Sequence, residues 1–177
     1  SAATPAPAAP APAAAAPNSA APPTPDWQTE EDEAARSMVF LVTFAAVLAE
    51  TALASVKPLR TLVGVTRAFI RDAVLDAVAN PVDLQPAGGR PRKHKPTVQM
   101  LVVALEEPHH FHVALKVTAL QRFLPFKQAL RDRNGLASHW STSHTQFWSA
   151  LRYLVFGTDH KTQLDKVDTM VQWTSGG

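Results

Sequence analysis

The sequence predicts an α+β fold, with a central antiparallel β-sheet flanked by helices. Three observations carry this expectation. The segments follow one another in the order strand, helix, strand, strand, helix, strand, helix. Two of the strands, residues 97–106 and 110–118, lie three residues apart, which is hairpin spacing. Hairpins of this kind dominate over the regular strand–helix–strand crossovers of a parallel sheet.

Of the 177 residues, the first 25 hold 12 Ala and 8 Pro. Proline removes backbone donors and clashes with a preceding helical turn, and this stretch has no large side chains to bury. Residues 1–35, which also carry an acidic run, are therefore expected to form a disordered tail. Residues 36–177 are expected to form one domain. The opening lacks the basic start and apolar core of a secretion signal. It also lacks an initiator Met, so it reads as an excised piece of a longer protein.

Each element has its own local reason. Met38 to Val47 (MVFLVTFAAV) is a compact run of apolar and β-branched residues and reads as a buried strand. Residues 48–57 are ambiguous. After Pro58, the residues Leu62, Val65, Phe69, Ala73 and Ala77 recur at steps of three and four. That spacing predicts an amphipathic helix ending at Asn80-Pro81. Residues 81–96 form a loop with Gly88-Gly89 and a basic cluster. Thr97–Glu106 and His110–Thr118 are the hairpin strands. Leu120–Arg133 reads as a second helix, with Phe123, Phe126 and Leu130 inside and Lys127, Arg131 and Arg133 outside; Asn134-Gly135 stops it. Leu136–Ser141 is a short strand. Ser143 or Thr145 can cap a third helix running to Phe156, and a last strand is expected near Met170–Trp173.

Composition excludes several function classes. With no cysteine there is no disulfide scaffold, thiolate zinc site or cysteine nucleophile. No apolar run reaches the roughly 18 residues of a membrane span. The formal charge of +2 conceals an asymmetry: residues 1–35 carry five acids and no base, which leaves residues 36–177 at +7. A basic domain suits a polyanion such as nucleic acid, although many plain soluble domains are as basic. Arg90, Arg92, Lys93 and Lys95 concentrate that charge in one loop, as a phosphate-contacting or simply a solvated segment.

Residues two apart on a strand share a face, so His110 and His112 project side by side while Phe111 points the other way. An isolated His-x-His is more often two solvated histidines. Here a three-residue hairpin loop would set Glu106 directly opposite His110 and complete a divalent-metal site. A slip of one residue would turn Glu106 away and make Glu107 or His109 the candidate. Two imidazoles and a carboxylate suit Mn²⁺ or Mg²⁺, with zinc not excluded. Tyr153, the chain's single tyrosine, lies on the third helix off the centre of its apolar face, with Gln146 and Ser149 on its side. Alone it reads as an amphipathic surface residue. Combined with a metal face it forms a constellation for phosphoryl transfer, in which the tyrosine oxygen attacks a polarised phosphate. Trp140 or Trp148 could stack on an unpaired base, although core packing is the commoner role. His94 and His160 read as surface residues.

The segment HFHVALKV resembles the second, His-hydrophobic-His motif of the HUH endonuclease superfamily of replication initiators and relaxases. MVFLVTFAAV is similar to its first-motif strand, and ALRYLVFGTDHK to its tyrosine-bearing third motif. The ordered block from 101 to 157 most resembles the single-tyrosine HUH domain of replitron-type transposases. The resemblance implies metal-dependent nicking and joining of single-stranded or hairpin DNA through a 5′-phosphotyrosine, in the nucleus. It implies Tyr153 as nucleophile and Glu106 (or Glu107), His110 and His112 as metal ligands. His144 would cap the helix or touch DNA, and Lys127, Arg131 and the basic loop would hold the DNA backbone. Where many relatives have a lysine three residues after the tyrosine, this chain has Phe156, so Gln146 or Lys161 would substitute. Two rival readings are a nucleic-acid-binding module of the same fold without activity, and a metallohydrolase that uses water in place of tyrosine. Oligomeric state is not legible in the sequence.

Overall fold

A computed structural model describes residues 29–48, 53–84, 95–106, 110–155 and 170–174, the last as backbone, together with Ala3, Thr4, Pro5 and Pro7. Five strands form one antiparallel sheet: β1 (Ser37–Phe44), β2 (Val98–Glu106), β3 (His110–Gln121), β4 (His139–Ser141) and β5 (Met170–Thr174). Their spatial order is β4-β1-β3-β2-β5, so β3, the strand with both candidate histidines, is central. Helices α1 (Arg67–Ala79) and α2 (Leu124–Asn134) cover one face, and α3 (Phe147–Val155) covers the other. This is the α+β arrangement that the hairpin spacing predicts.

Strand alternation sorts the core into two layers. Phe40, Val42, Phe44, Phe111, Val113 and Leu115 face α1 and α2. There Trp140 is fully buried, stacked on Phe123 with ring centroids 6.0 Å apart and edge-on to Phe40 at 5.4 Å. Trp140 is therefore a core residue and not a base-stacking platform; Trp148 on α3 is exposed. Val39, Leu41, Val102, Ala104 and Ala114 face α3, against Phe147, Ala150 and Leu154.

Several boundaries differ from the periodicity. The first helix begins at Arg67, because the Thr66 hydroxyl accepts the Phe69 N–H at 3.1 Å and caps it there. Just upstream, Gly64 takes φ +77° in a turn, so Leu62 and Val65 reach the core from outside the helix. The second helix begins four residues late because β3 runs on to Gln121, which pairs with Ser37. Pro125 sits in the first turn of α2, where its missing N–H costs nothing. Ser143, a candidate cap for the third helix, bonds Ser141 Oγ at 2.8 Å instead.

The tail boundary also moves. Thr29 and Glu31, placed in a disordered tail by composition, make contacts with β4 and α2. The Glu31 carboxylate accepts the Trp140 backbone N–H at 2.8 Å and pairs with Lys127 at 2.6 Å. The Thr29 carbonyl accepts from His139 Nε2 at 2.6 Å. One acidic side chain thus satisfies an edge-strand donor and a half-buried ammonium together. Glu31→Ala is expected to cost about 1–3 kcal/mol, because both partners lose a charge-assisted bond. Urea unfolding would show this as a lower midpoint, with Glu31→Gln recovering part of the loss.

Gly135 ends α2 with φ +64°, and its N–H bonds the Arg131 carbonyl at 3.1 Å. Its carbonyl accepts the Arg60 N–H at 2.8 Å, and a Cβ at this position would come within 2.5 Å of the Pro58 oxygen. Gly135→Ala therefore combines left-handed strain with a backbone clash. It is expected to cost about 1–3 kcal/mol and to lower Tm by several degrees in a thermal melt.

Candidate metal centre

The site grows out of the β2–β3 register. Glu106 pairs directly with His110, and Ala104 with His112, so Glu106 and both histidines share the face covered by α3. This is the pairing that a three-residue loop predicts, and it selects Glu106 over the slipped-register candidates Glu107 and His109, which lie outside the described residues. The cross-strand partner of His112 on β2 is the small Ala104, and the β2 side chain that reaches its ring is Glu106.

Glu106 and His112 are buried, and His110 is half-buried. Glu106 Oε2 lies 3.3 Å from His112 Nε2 and 4.0 Å from His110 Nδ1. The two rings are 4.5 Å apart. One ligand atom from each of the three residues falls within 4.8 Å of the other two, so the group can hold a metal ion. The donor set is two imidazole nitrogens and one carboxylate oxygen, ligand types that divalent metal ions accept.

Tyr153 joins this face from above. α3 buries Phe147, Ala150 and Leu154, and Tyr153, three residues after Ala150, sits half-buried on the flank of that stripe. Its ring stands edge-on to His112, with centroids 5.2 Å apart and planes at 88°. His144, in the loop before α3, has its ring centroid 6.4 Å from that of Tyr153, and its Nδ1 is 2.7 Å from Ser149 Oγ. Gln146 is exposed immediately before α3, its backbone carbonyl accepting the Ser149 N–H.

Other site candidates fall elsewhere. Lys127 and Arg131 belong to α2, on the opposite face of the sheet from the triad. Lys127 is paired with Glu31, and the Arg131 guanidinium donates to the Lys57 carbonyl. Both make intramolecular contacts on the face away from the triad, where Gln128 and Arg131 donate to carbonyls of the 54–57 segment. Lys95 is exposed but precedes β2, at the end remote from Glu106; at about 3.3 Å per residue that is roughly 25 Å or more from the triad. Arg90, Arg92, Lys93, Phe156, Lys161, His94 and His160 lie outside the described residues.

Sequence reasoning missed Thr43. It is buried, stands opposite His112 across the β1–β3 pair, and its hydroxyl lies 3.0 Å from His112 Nδ1. The available signal was a single hydroxyl inside an otherwise apolar strand, VFLVTF. The β1–β3 register that gives it meaning is not local.

No helix among the described residues is long and apolar enough to cross a membrane. Compared with known proteins, the chain matches no family model, no curated protein and no solved structure.

Proposed function

We propose that this chain is a metal-dependent DNA nicking and strand-transfer domain of the HUH type, acting on single-stranded DNA or one strand of a hairpin. The observation that carries the reading is a helical tyrosine packed edge-on against a histidine of a Glu-His-His cluster. A nucleophile and a cation site then share one small face of the sheet. The resemblance of HFHVALKV and ALRYLVFGT to the superfamily's second and third motifs supports the same assignment.

In this reading Tyr153 Oη gives up its proton to solvent and attacks the scissile phosphorus. The P–O3′ bond breaks, its electron pair goes to O3′, and that oxygen takes up a proton to leave as a 3′-hydroxyl. The 5′ end remains esterified to Tyr153, so one phosphate ester has replaced another. A 3′-hydroxyl from a second strand reverses the step and joins new partners. A bound Mn²⁺ or Mg²⁺ supplies Lewis-acid polarisation of the phosphate oxygens. Glu106 provides the anionic ligand, and His110 and His112 the neutral nitrogens.

Covalent capture tests this. The protein is incubated with labelled single-stranded and hairpin oligonucleotide pools and Mn²⁺, then run on a denaturing gel. A shifted band that disappears with EDTA is the expected result. Cleavage with no shifted band would replace the tyrosine by water. Binding that weakens with salt, with no product, would leave a nucleic-acid-binding module.

A further inference from the structure

We propose that Thr43 is a positioning residue, whose hydroxyl sets the orientation and tautomer of His112 so that Nε2 faces Glu106. The inference rests on the metal-centre reading above and extends it to a strand that contributes no ligand. Residues 39–45 of β1 and the turn after it are all buried and, except for Thr43, all apolar. Valine has nearly the same shape and would avoid the cost of burying a hydroxyl. The hydroxyl is bonded, to His112 Nδ1 at 3.0 Å, with His112 itself fully buried.

The chemistry of a hydroxyl suits this place. It can donate or accept, whereas a carbonyl or carboxylate can only accept. With no cation present, Thr43 Oγ1–H can donate to Nδ1, which leaves the ring proton on Nε2, the nitrogen that lies 3.3 Å from Glu106 Oε2. To ligate a cation, Nε2 must offer its lone pair, so the ring proton sits on Nδ1 and donates to Thr43 Oγ1. Rotation of one buried hydroxyl serves both arrangements without moving the backbone. The neighbour on β4, His139, stands opposite Thr43 but sends its Nε2 to the Thr29 carbonyl.

The test compares Thr43→Val, which keeps the shape, with Thr43→Ser, which keeps the hydroxyl. Mn²⁺ affinity is measured by calorimetry. The ring tautomer of His112 is read in the metal-free protein by long-range proton–nitrogen NMR, assigned with a His112→Gln control. Thr43→Val is expected to bind Mn²⁺ roughly 10–100-fold more weakly and to change the His112 ring signals, and Thr43→Ser to restore both. Wild-type affinity in Thr43→Val would overturn the proposal. So would a loss that Thr43→Ser does not restore, or a loss with unchanged ring signals, since either marks a packing effect. If the wild-type protein takes up no Mn²⁺, the metal reading fails separately. The ring signals then decide Thr43: an unchanged His112 pattern in Thr43→Val overturns its role and a changed one upholds it.

Discussion

Tyr153→Phe is expected to abolish the covalent protein–DNA adduct, a loss of at least about 10³-fold in nicking. The substitution removes one oxygen and keeps the ring. That ring packs edge-on to His112 and belongs to the half-buried flank of α3, so folding and metal uptake should survive. The discriminating comparison is cleavage against capture. Tyr153 is the chain's only tyrosine, and there is no cysteine, so no second phenol or thiol can take over the attack. Persistent cleavage in Tyr153→Phe would assign the chemistry to water. Loss of both cleavage and adduct, with DNA binding retained, would assign it to the phenol oxygen.

Glu106→Gln is expected to have the second-largest effect. Glu106 is the single anion among the three candidate ligands, and it is buried, so its charge attracts a cation with little screening from solvent. Gln keeps the size and one carbonyl oxygen but removes that charge. The loss in Mn²⁺ affinity should exceed the roughly 10–100-fold typical of an outer hydrogen-bond partner. A thermal melt reads this without any DNA. A ligand at 100 times its Kd stabilises the native state by about 2.7 kcal/mol, enough to raise the Tm of a domain this size by several degrees. Wild-type protein should show that rise with Mn²⁺, EDTA should remove it, and Glu106→Gln should not show it at the same concentration. Equal rises in both proteins would move the cation away from Glu106.

The two variants separate the halves of the proposed function. Tyr153→Phe should keep the metal-induced rise in Tm and lose the adduct. Glu106→Gln should lose both, because attack on an unpolarised phosphodiester lacks the charge stabilisation that accounts for much of such a rate.

Much of this was legible in the sequence, and the legible parts share a cause. The hairpin of 97–106 and 110–118 rests on local alternation and a short loop, and the pairing of Glu106 with His110 follows from that loop length. The shared face of His110 and His112 follows from the two-residue period of a strand. The flank position of Tyr153 follows from the 3.6-residue period of α3. Each depends on neighbours within a few residues.

What the tertiary structure decided depends on distant partners. Thr43 gains its meaning from a strand 69 residues away, because only the β1–β3 register brings its hydroxyl to His112. Lys127 and Arg131 look like free cations on an amphipathic helix, until Glu31 and the Lys57 carbonyl arrive from outside that helix. Leu62 and Val65 fit a helical period, yet Gly64 and the Thr66 cap hold them in a turn that reaches the same core. The acidic residues 29–35 read as tail by composition, yet one of them completes the edge of β4. Periodicity records which face of an element is apolar; it does not record which polar groups need a partner once that face is buried. Those partners are set by strand order and by the segments that cross the sheet edge, which is where folding departs from local pattern.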